Sequence, residues 1–212
     1  MLAIKTKKFV DAIIEAPSSK SYTQRALIIS ALANGNSILK TPLFSEDTNY
    51  MVSALKQFGA SIKQQGDNLF VKGTGGDLKS VKKIFVGNSG AAMRFLTALA
   101  SLCNGETIIT GNKRMQQRPI KDLLDGMEQL GVKSESDNGY PPVKNYGNGL
   151  MGGSVKLKGD VSSQYISSIL MCAPYAKKDV SIKVIGKITS RPYLDITLDV
   201  MKNFGVNVKN SN

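Results

Sequence analysis

The chain has 212 residues, 42% of them hydrophobic and 21% charged, which is ordinary globular usage and enough length to bury a core without disulfide or metal staples. It contains no histidine and only two cysteines, Cys103 and Cys172, so histidine-based triads, histidine general bases and zinc sites made of Cys and His are excluded. Lysine and arginine outnumber aspartate and glutamate by 28 to 16, and the net charge of +12 points to an anionic partner: nucleic acid, acidic lipid or a phosphorylated metabolite.

Residues 1–14 alternate charge with apolar side chains and read as an edge or linking strand outside the core. They lack the apolar run and small-residue cleavage site of a secretory leader, so a cytoplasmic, reducing setting is expected. Pro17, Ser18, Ser19, Lys20 and Ser21 then open a segment over 26–33 that is apolar nearly all round, the signature of a buried helix. A strand over 37–40 follows. Ser45, Glu46, Asp47 and Thr48 are good capping residues for an amphipathic helix carrying Met51, Leu55 and Phe58, which ends at Gly59. Strands over 60–63 and 68–72 complete this stretch.

The same order returns twice. Gly87, Asn88, Ser89 and Gly90 open an apolar helix over 91–103, a strand covers 106–110, and Arg118-Pro119 starts a helix with Ile120, Leu123, Leu124, Met127 and Leu130 that ends at Gly131. Asp160, Ser162, Ser163 and Gln164 open an apolar helix over 165–173, and a strand covers 180–184. Ser190, Arg191, Pro192 and Tyr193 then start a helix with Ile196, Val200, Met201 and Phe204 that ends at Gly205. Pro119 and Pro192 are expected at first helical positions, where a missing N–H costs nothing. Neither apolar stretch, 95–102 or 165–176, reaches the ~18 residues of a membrane span, so no membrane partner is expected.

The terminal glycines of the three amphipathic helices are spaced by 72 and 74 residues, too regularly for chance and too widely for a solenoid. The chain therefore reads as an α/β protein of three β-α-β-α-β-β units, about 15–75, 83–148 and 154–212. Pseudo-three-fold symmetry, buried helices inside and sheets outside are expected. The third unit is incomplete, because too few residues follow Gly205 for its last strands. The polar openings of the three apolar helices would form an anion cradle on one rim.

These residues resemble the 5-enolpyruvylshikimate-3-phosphate synthase family. The resemblance rests on ordered motifs from about residue 15 to the end. They are Lys20-Ser21 with Arg25-Ala26-Leu27; Asp47-Thr48; Gly87-Asn88-Ser89-Gly90 with Met93-Arg94; Arg114-Met115 with Arg118-Pro119-Ile120; Ser162-Ser163-Gln164-Tyr165; and Thr189-Ser190-Arg191-Pro192-Tyr193 with Asp195 and Thr197. It implies an enolpyruvyl transferase-like domain in which Lys20 touches both substrates. Ser21, Arg25, Ser162, Ser163, Gln164, Ser190 and Tyr193 would hold shikimate 3-phosphate. Asn88, Gly90 and Arg118 would serve phosphoenolpyruvate, where glyphosate also binds in the family. No cofactor or metal is implied.

Ser18, Gln24, Ala91 and Gln117 depart from the family's usual Gly, Asn, Thr and Glu. Family members are about twice as long, and their second half carries further cations and proton-transfer groups, so a complementary C-terminal domain is the implied partner. The sister UDP-N-acetylglucosamine enolpyruvyl transferases carry a cysteine where this chain has Lys113. Two alternatives compete: a substrate-binding module without catalysis, and a basic nucleic-acid-binding domain. The second lacks a stacking-aromatic motif or a dense basic run, so no nucleic-acid partner is expected.

Overall fold

A computed structural model describes residues 3–210, which contain six α-helices and nine strands. Residues 3–19 form neither helix nor strand, and Ile4, Phe9, Val10, Ile13 and Ile14 are exposed. The edge strand expected over 1–14 is not formed in its described part: a strand needs a ladder partner, and none lies beside these residues. Residues 1 and 2 of that segment, and 211 and 212 at the other end, lie outside the described residues.

The first stretch consists of α1 (Lys20–Leu32), β1 (Asn36–Lys40), α2 (Glu46–Gln57), β2 (Ser61–Gln65) and β3 (Asn68–Lys72). Its strands pair antiparallel in the order β1-β3-β2. The second consists of β4 (Lys83–Phe85), α3 (Gly90–Ala100), β5 (Asn104–Thr110), α4 (Lys121–Gln129), β6 (Lys133–Asp137) and β7 (Tyr140–Asn148), with order β4-β5-β7-β6 and β4 parallel to β5. The third consists of β8 (Gly153–Lys158), α5 (Ser163–Cys172), β9 (Val180–Ile185) and α6 (Arg191–Asn203), with β8 parallel to β9. The order β-α-β-α-β-β is therefore complete only in the middle stretch. The first lacks an opening strand and the third a closing pair.

The helices divide by pattern. α1, α3 and α5 have almost no polar face beyond their first turns, and they bury Leu27, Ile28, Phe95, Leu96, Leu99, Ile166 and Ile169 in the common core. The amphipathic helices α2, α4 and α6 bury one stripe each, including Met51 and Leu55, Leu123 and Met127, and Val200 and Met201. Serine is the N-cap of five of these six, and in four of them its side chain makes the cap bond. Ser45 closes a full capping box with Thr48 on α2.

The two prolines fall elsewhere than expected. Ile120 is the N-cap of α4, which puts Pro119 outside the helix, and Pro192 is the second residue of α6, after Arg191. Both places are tolerated, since first-turn N–H groups have no intrahelical acceptor.

The glycine stops do form, three times in the same way. Gly59, Gly131 and Gly205 have φ of 109°, 83° and 81°, directly after the C-caps Phe58, Leu130 and Phe204. In each case the glycine N–H donates two residues inside the C-cap, to Lys56, Glu128 or Lys202. The next N–H, of Ala60, Val132 or Val206, reaches back to Leu55, Met127 or Met201. This paired closure satisfies the last carbonyls and places an apolar residue on the helix's own apolar stripe.

A side chain at these glycines is strained by conformation alone, by about 1–2 kcal/mol. At Gly131 a Cβ would also come within 2.7 Å of Met151 Cγ, whereas at Gly59 the nearest atom is Lys79 Cγ at 3.2 Å, on a long, flexible side chain. Gly131→Ala is expected to lower urea-unfolding stability more than Gly59→Ala; the reverse order would show that conformation, not the clash, decides.

Candidate functional site

Most of the residues expected to bind substrate stand at or beside helix starts, Arg25 in the second turn of α1 being the exception. Lys20 and Ser21 open α1, Asn88 and Gly90 flank the start of α3, Ser162 to Gln164 begin α5, and Ser190 to Tyr193 begin α6. Such ends present N–H groups without acceptors and a partial positive charge. Ser19, Ser89 and Ser162 use their hydroxyls as caps, accepting from the N–H groups of Tyr22, Ala92 and Gln164. Ser162 keeps only its O–H as a free donor. Ser163 is buried, while Ser190 and Tyr193 are exposed.

Ser190 differs from the other caps. Its backbone lies in the left-handed region, φ 62° and ψ 42°, and its side chain makes no cap bond. A non-glycine residue held there costs about 1–3 kcal/mol, and the exposed hydroxyl is left unspent.

The inner helices meet at Arg25. Its guanidinium carbon lies 5.2 Å from the Phe95 ring centroid of α3, Nη2 donates to Ser167 Oγ of α5 at 3.2 Å, and Nε donates to Thr197 Oγ1 of α6 at 2.6 Å. Arg25, Phe95 and Ser167 all lie in the second turn of their helices, so the starts of α1, α3 and α5 each stand within two turns of this contact. Nη1 donates to the Ser21 carbonyl at 3.1 Å. With 2% exposure and no carboxylate beside it among the described residues, Arg25 is enclosed by neutral groups. Burial pulls its pKa down to about 10, with Tyr193 opposing that shift. In this conformation Arg25 lies behind Ser21 and is not open to a ligand, unlike the contact residue the family resemblance implies.

A second cluster joins α3 to α5. The Arg118 guanidinium occupies the space a side chain at Gly90 would need: a Cβ there would meet it at 2.7–2.8 Å. Four residues on, along the same face of α3, Arg94 Nη1 donates to Gln164 Oε1 at 2.5 Å, with its guanidinium carbon 5.4 Å from the Tyr165 ring centroid. Tyr165 donates its hydroxyl to the Pro119 carbonyl at 2.8 Å, anchoring the segment that carries Arg118. Burial lowers the Arg94 pKa; Tyr165 opposes this and the neighbouring charge of Arg118 adds to it.

Lys20 pairs with Asp47 of α2 at 2.9 Å, with the lysine side chain 55% exposed. Such a pair exchanges readily for another anion. Asn88 is exposed and makes no side-chain hydrogen bond among the described residues. Arg94 and Tyr165 were part of the sequence motifs but had no role there; the four-residue step from Gly90 to Arg94 is the helical signal that places both on one face.

The rim thus carries Lys20, Arg94 and Arg118, and of these three Lys20 alone pairs with a carboxylate among the described residues, that of Asp47. The rim is open, with Asn88, Ser190 and Tyr193 exposed beside the half-exposed Lys20 side chain; a cavity of about 810 Å³ lies elsewhere, beside α4 and β6. Cys103 and Cys172 are free and buried, and burial pushes both thiols up to about 12, so neither supplies a thiolate.

Known proteins resemble this chain along most of its length. The family model for EPSP synthase (3-phosphoshikimate 1-carboxyvinyltransferase) matches residues 4–212, and the chain belongs to that family. It is 44% identical over 209 residues to the 3-phosphoshikimate 1-carboxyvinyltransferase of Shewanella piezotolerans, which covers 96% of this chain and 49% of that protein. Its identity to that of Methanothermobacter thermautotrophicus is 43% over 210 residues, covering 98% and 49%. The solved EPSP synthase from Acinetobacter baumannii superposes with a TM-score of 0.82 at 25% identity, over 93% of this chain and 45% of that one. The chain spans about half the length of the curated relatives it matches.

Gly90 is helical and its φ is not positive, so alanine there fits the backbone and gains roughly 0.5–1 kcal/mol of helix preference. Gly90→Ala is expected to leave thermal stability unchanged or slightly raised while the Arg118 Nε–H NMR signal moves. A stationary signal would show that the guanidinium does not rest on Gly90.

Proposed function

We propose that these 212 residues form the shikimate 3-phosphate-binding part of an enolpyruvyl transferase. The observation that carries this reading is the presence of three serine-capped helix starts within two turns of Arg25, with Arg94 and Arg118 left without carboxylate partners among the described residues. Such a rim suits a phosphate ester and a small carboxylate, and the order of its residues is that of the family motifs.

On this reading Lys20 exchanges Asp47 for substrate anions. Ser21, Ser162, Ser163, Gln164, Ser190 and Tyr193 receive shikimate 3-phosphate, and Arg25 supports them from beneath. Asn88, Gly90 and Arg118 receive phosphoenolpyruvate or glyphosate. The substrate 5-hydroxyl then adds to C2 of phosphoenolpyruvate, its proton passing to a base and another being delivered to C3, and loss of phosphate together with a proton from C3 restores the double bond. The groups that move those protons belong to the complementary C-terminal part. Its closure would exclude water and add cations.

The finer architecture belongs to the same proposal. The three stretches are copies of one unit related by approximate three-fold symmetry, and residues 1–14 pair within the other domain. No helix among the described residues is long and apolar enough to cross a membrane. Two buried free thiols support a cytoplasmic setting.

Charge-assisted bonds contribute roughly 1.5–3 kcal/mol, so Lys20→Met and Ser163→Ala should each weaken shikimate 3-phosphate binding about tenfold or more. An NMR titration of backbone amides measures this, and unchanged affinity in both variants would remove the site from this rim. The 212 residues alone should release no phosphate from the two substrates, since loss of a general acid or base costs ~10²- to 10⁴-fold. Substantial turnover by the purified chain would contradict the division of the chemistry.

A further inference from the structure

Gln164 carries a carboxamide, which offers either an acceptor oxygen or a donor NH₂ to whatever faces it. Arginine has five N–H donors and no acceptor, so the atom that meets Arg94 Nη1 at 2.5 Å must be the oxygen. That contact settles the orientation by chemistry alone. Gln164 Nε2 has no acceptor among the described residues. Nor is it one of the buried unpaired atoms, which are Gln24 Nε2, Thr107 Oγ1 and Asn145 Oδ1, so it meets solvent. The backbone around it is held too: Ser162 Oγ accepts from the Gln164 N–H, and the Gln164 carbonyl accepts from Ser168 Oγ.

Arg94 is itself fixed from two sides. Its guanidinium rests on the Tyr165 ring, and that ring is tied through its hydroxyl to Pro119. Lysine at this place could supply a charge, but neither the flat stacking face nor the directed fork.

We propose that Arg94 is a positioning residue: it holds the Gln164 carboxamide by its oxygen so that the NH₂ faces the rim as a donor for an unprotonated oxygen of the phosphorylated ligand. The proposal rests on the shikimate 3-phosphate reading above and goes beyond it in making the Gln164 contact donor-only. A donor-only contact favours phosphate-ester or carboxylate oxygens. Were the amide free to turn, its oxygen would face the same anion and repel it.

The test compares ¹⁵N-labelled wild-type chain with Arg94→Met, Arg94→Lys and Gln164→Glu, each with and without shikimate 3-phosphate. Without ligand, the Gln164 side-chain amide signals of wild type should stand apart from those of exposed glutamines, and in Arg94→Met they should move toward them. With ligand, these signals should shift in wild type. Affinity should fall roughly tenfold in Arg94→Met, the loss of one well-placed hydrogen bond to a charged group, and by less in Arg94→Lys.

Gln164→Glu separates positioning from mere support. A carboxylate opposite Arg94 completes an ion pair, so thermal stability should hold or rise, yet no donor remains and binding should fall at least as far as in Arg94→Met. Full affinity in Gln164→Glu, or unchanged amide signals and affinity in Arg94→Met, would overturn the proposal. A wild-type chain that does not bind shikimate 3-phosphate would instead overturn the substrate reading, and the ligand-free amide signals would then decide the role of Arg94 alone.

Discussion

A single buried guanidinium sets the terms for the rest of this structure. Arg25 sits among four helices with no carboxylate beside it among the described residues, a placement that costs several kcal/mol unless every N–H finds an acceptor. Thr197, Ser167 and the Ser21 carbonyl supply acceptors, and the face of Phe95 supplies the remaining attraction. Thr197 and Ser167 also bond each other at 2.8 Å, which ties α5 to α6 at the same point. Because each acceptor comes from a different element, the charge can be accommodated in only one mutual arrangement of the helices. That arrangement places the helix starts, and with them the whole rim. The positive charge is left uncompensated in a medium that screens it poorly, so the fold is biased toward an anion before any surface lysine is considered.

The sheets are seated on the inner helices by close backbone contact. Gly73, just after β3, has no room for a Cβ because the carbonyl oxygens of Ser30 and Ala33 at the end of α1 fill it. Gly147 of β7 is pressed in the same way against the carbonyls of Ala100 and Cys103 beyond α3. Two glycines at matching places in two stretches thus allow the same helix–sheet approach. In α1 and α3 the start of the helix is then left to polar residues, while the opposite end is closed by backbone.

The apolar inner helices were legible because a segment without a polar face has nowhere to go but the core, and the strands over 37–40, 68–72, 106–110 and 180–184 appear within two residues of their expected bounds. The glycine stops were legible because the left-handed conformation and the paired closure demand that residue. The N-terminal segment forms no strand in its described part, because alternation of charge and apolar residues makes a strand only where a neighbour exists, and neighbours are a tertiary fact. Among site residues, the serines and cations at helix starts could be read from position. The enclosure of Arg25 could not, because Thr197 and Ser167 lie 172 and 142 residues away along the chain. Pro119 was misplaced because Ile120, a residue with no capping side chain, takes the N-cap instead.

The openness of the rim limits what its charges can do. An exposed pair such as Lys20–Asp47 is worth at most about 1 kcal/mol in water, and the same screening applies to any anion that replaces Asp47. Arg94 and Arg118 are better placed, since partial burial and mutual proximity leave both short of negative charge. Even so, one side of a bound ligand would remain in water, where developing charge is stabilised by solvent reorganisation rather than by fixed dipoles. A rim of this kind selects and orients. Stabilising developing charge by fixed dipoles would take a second surface that removes the water, and the rim's excess of positive charge acts on an anion whether or not such a surface is present.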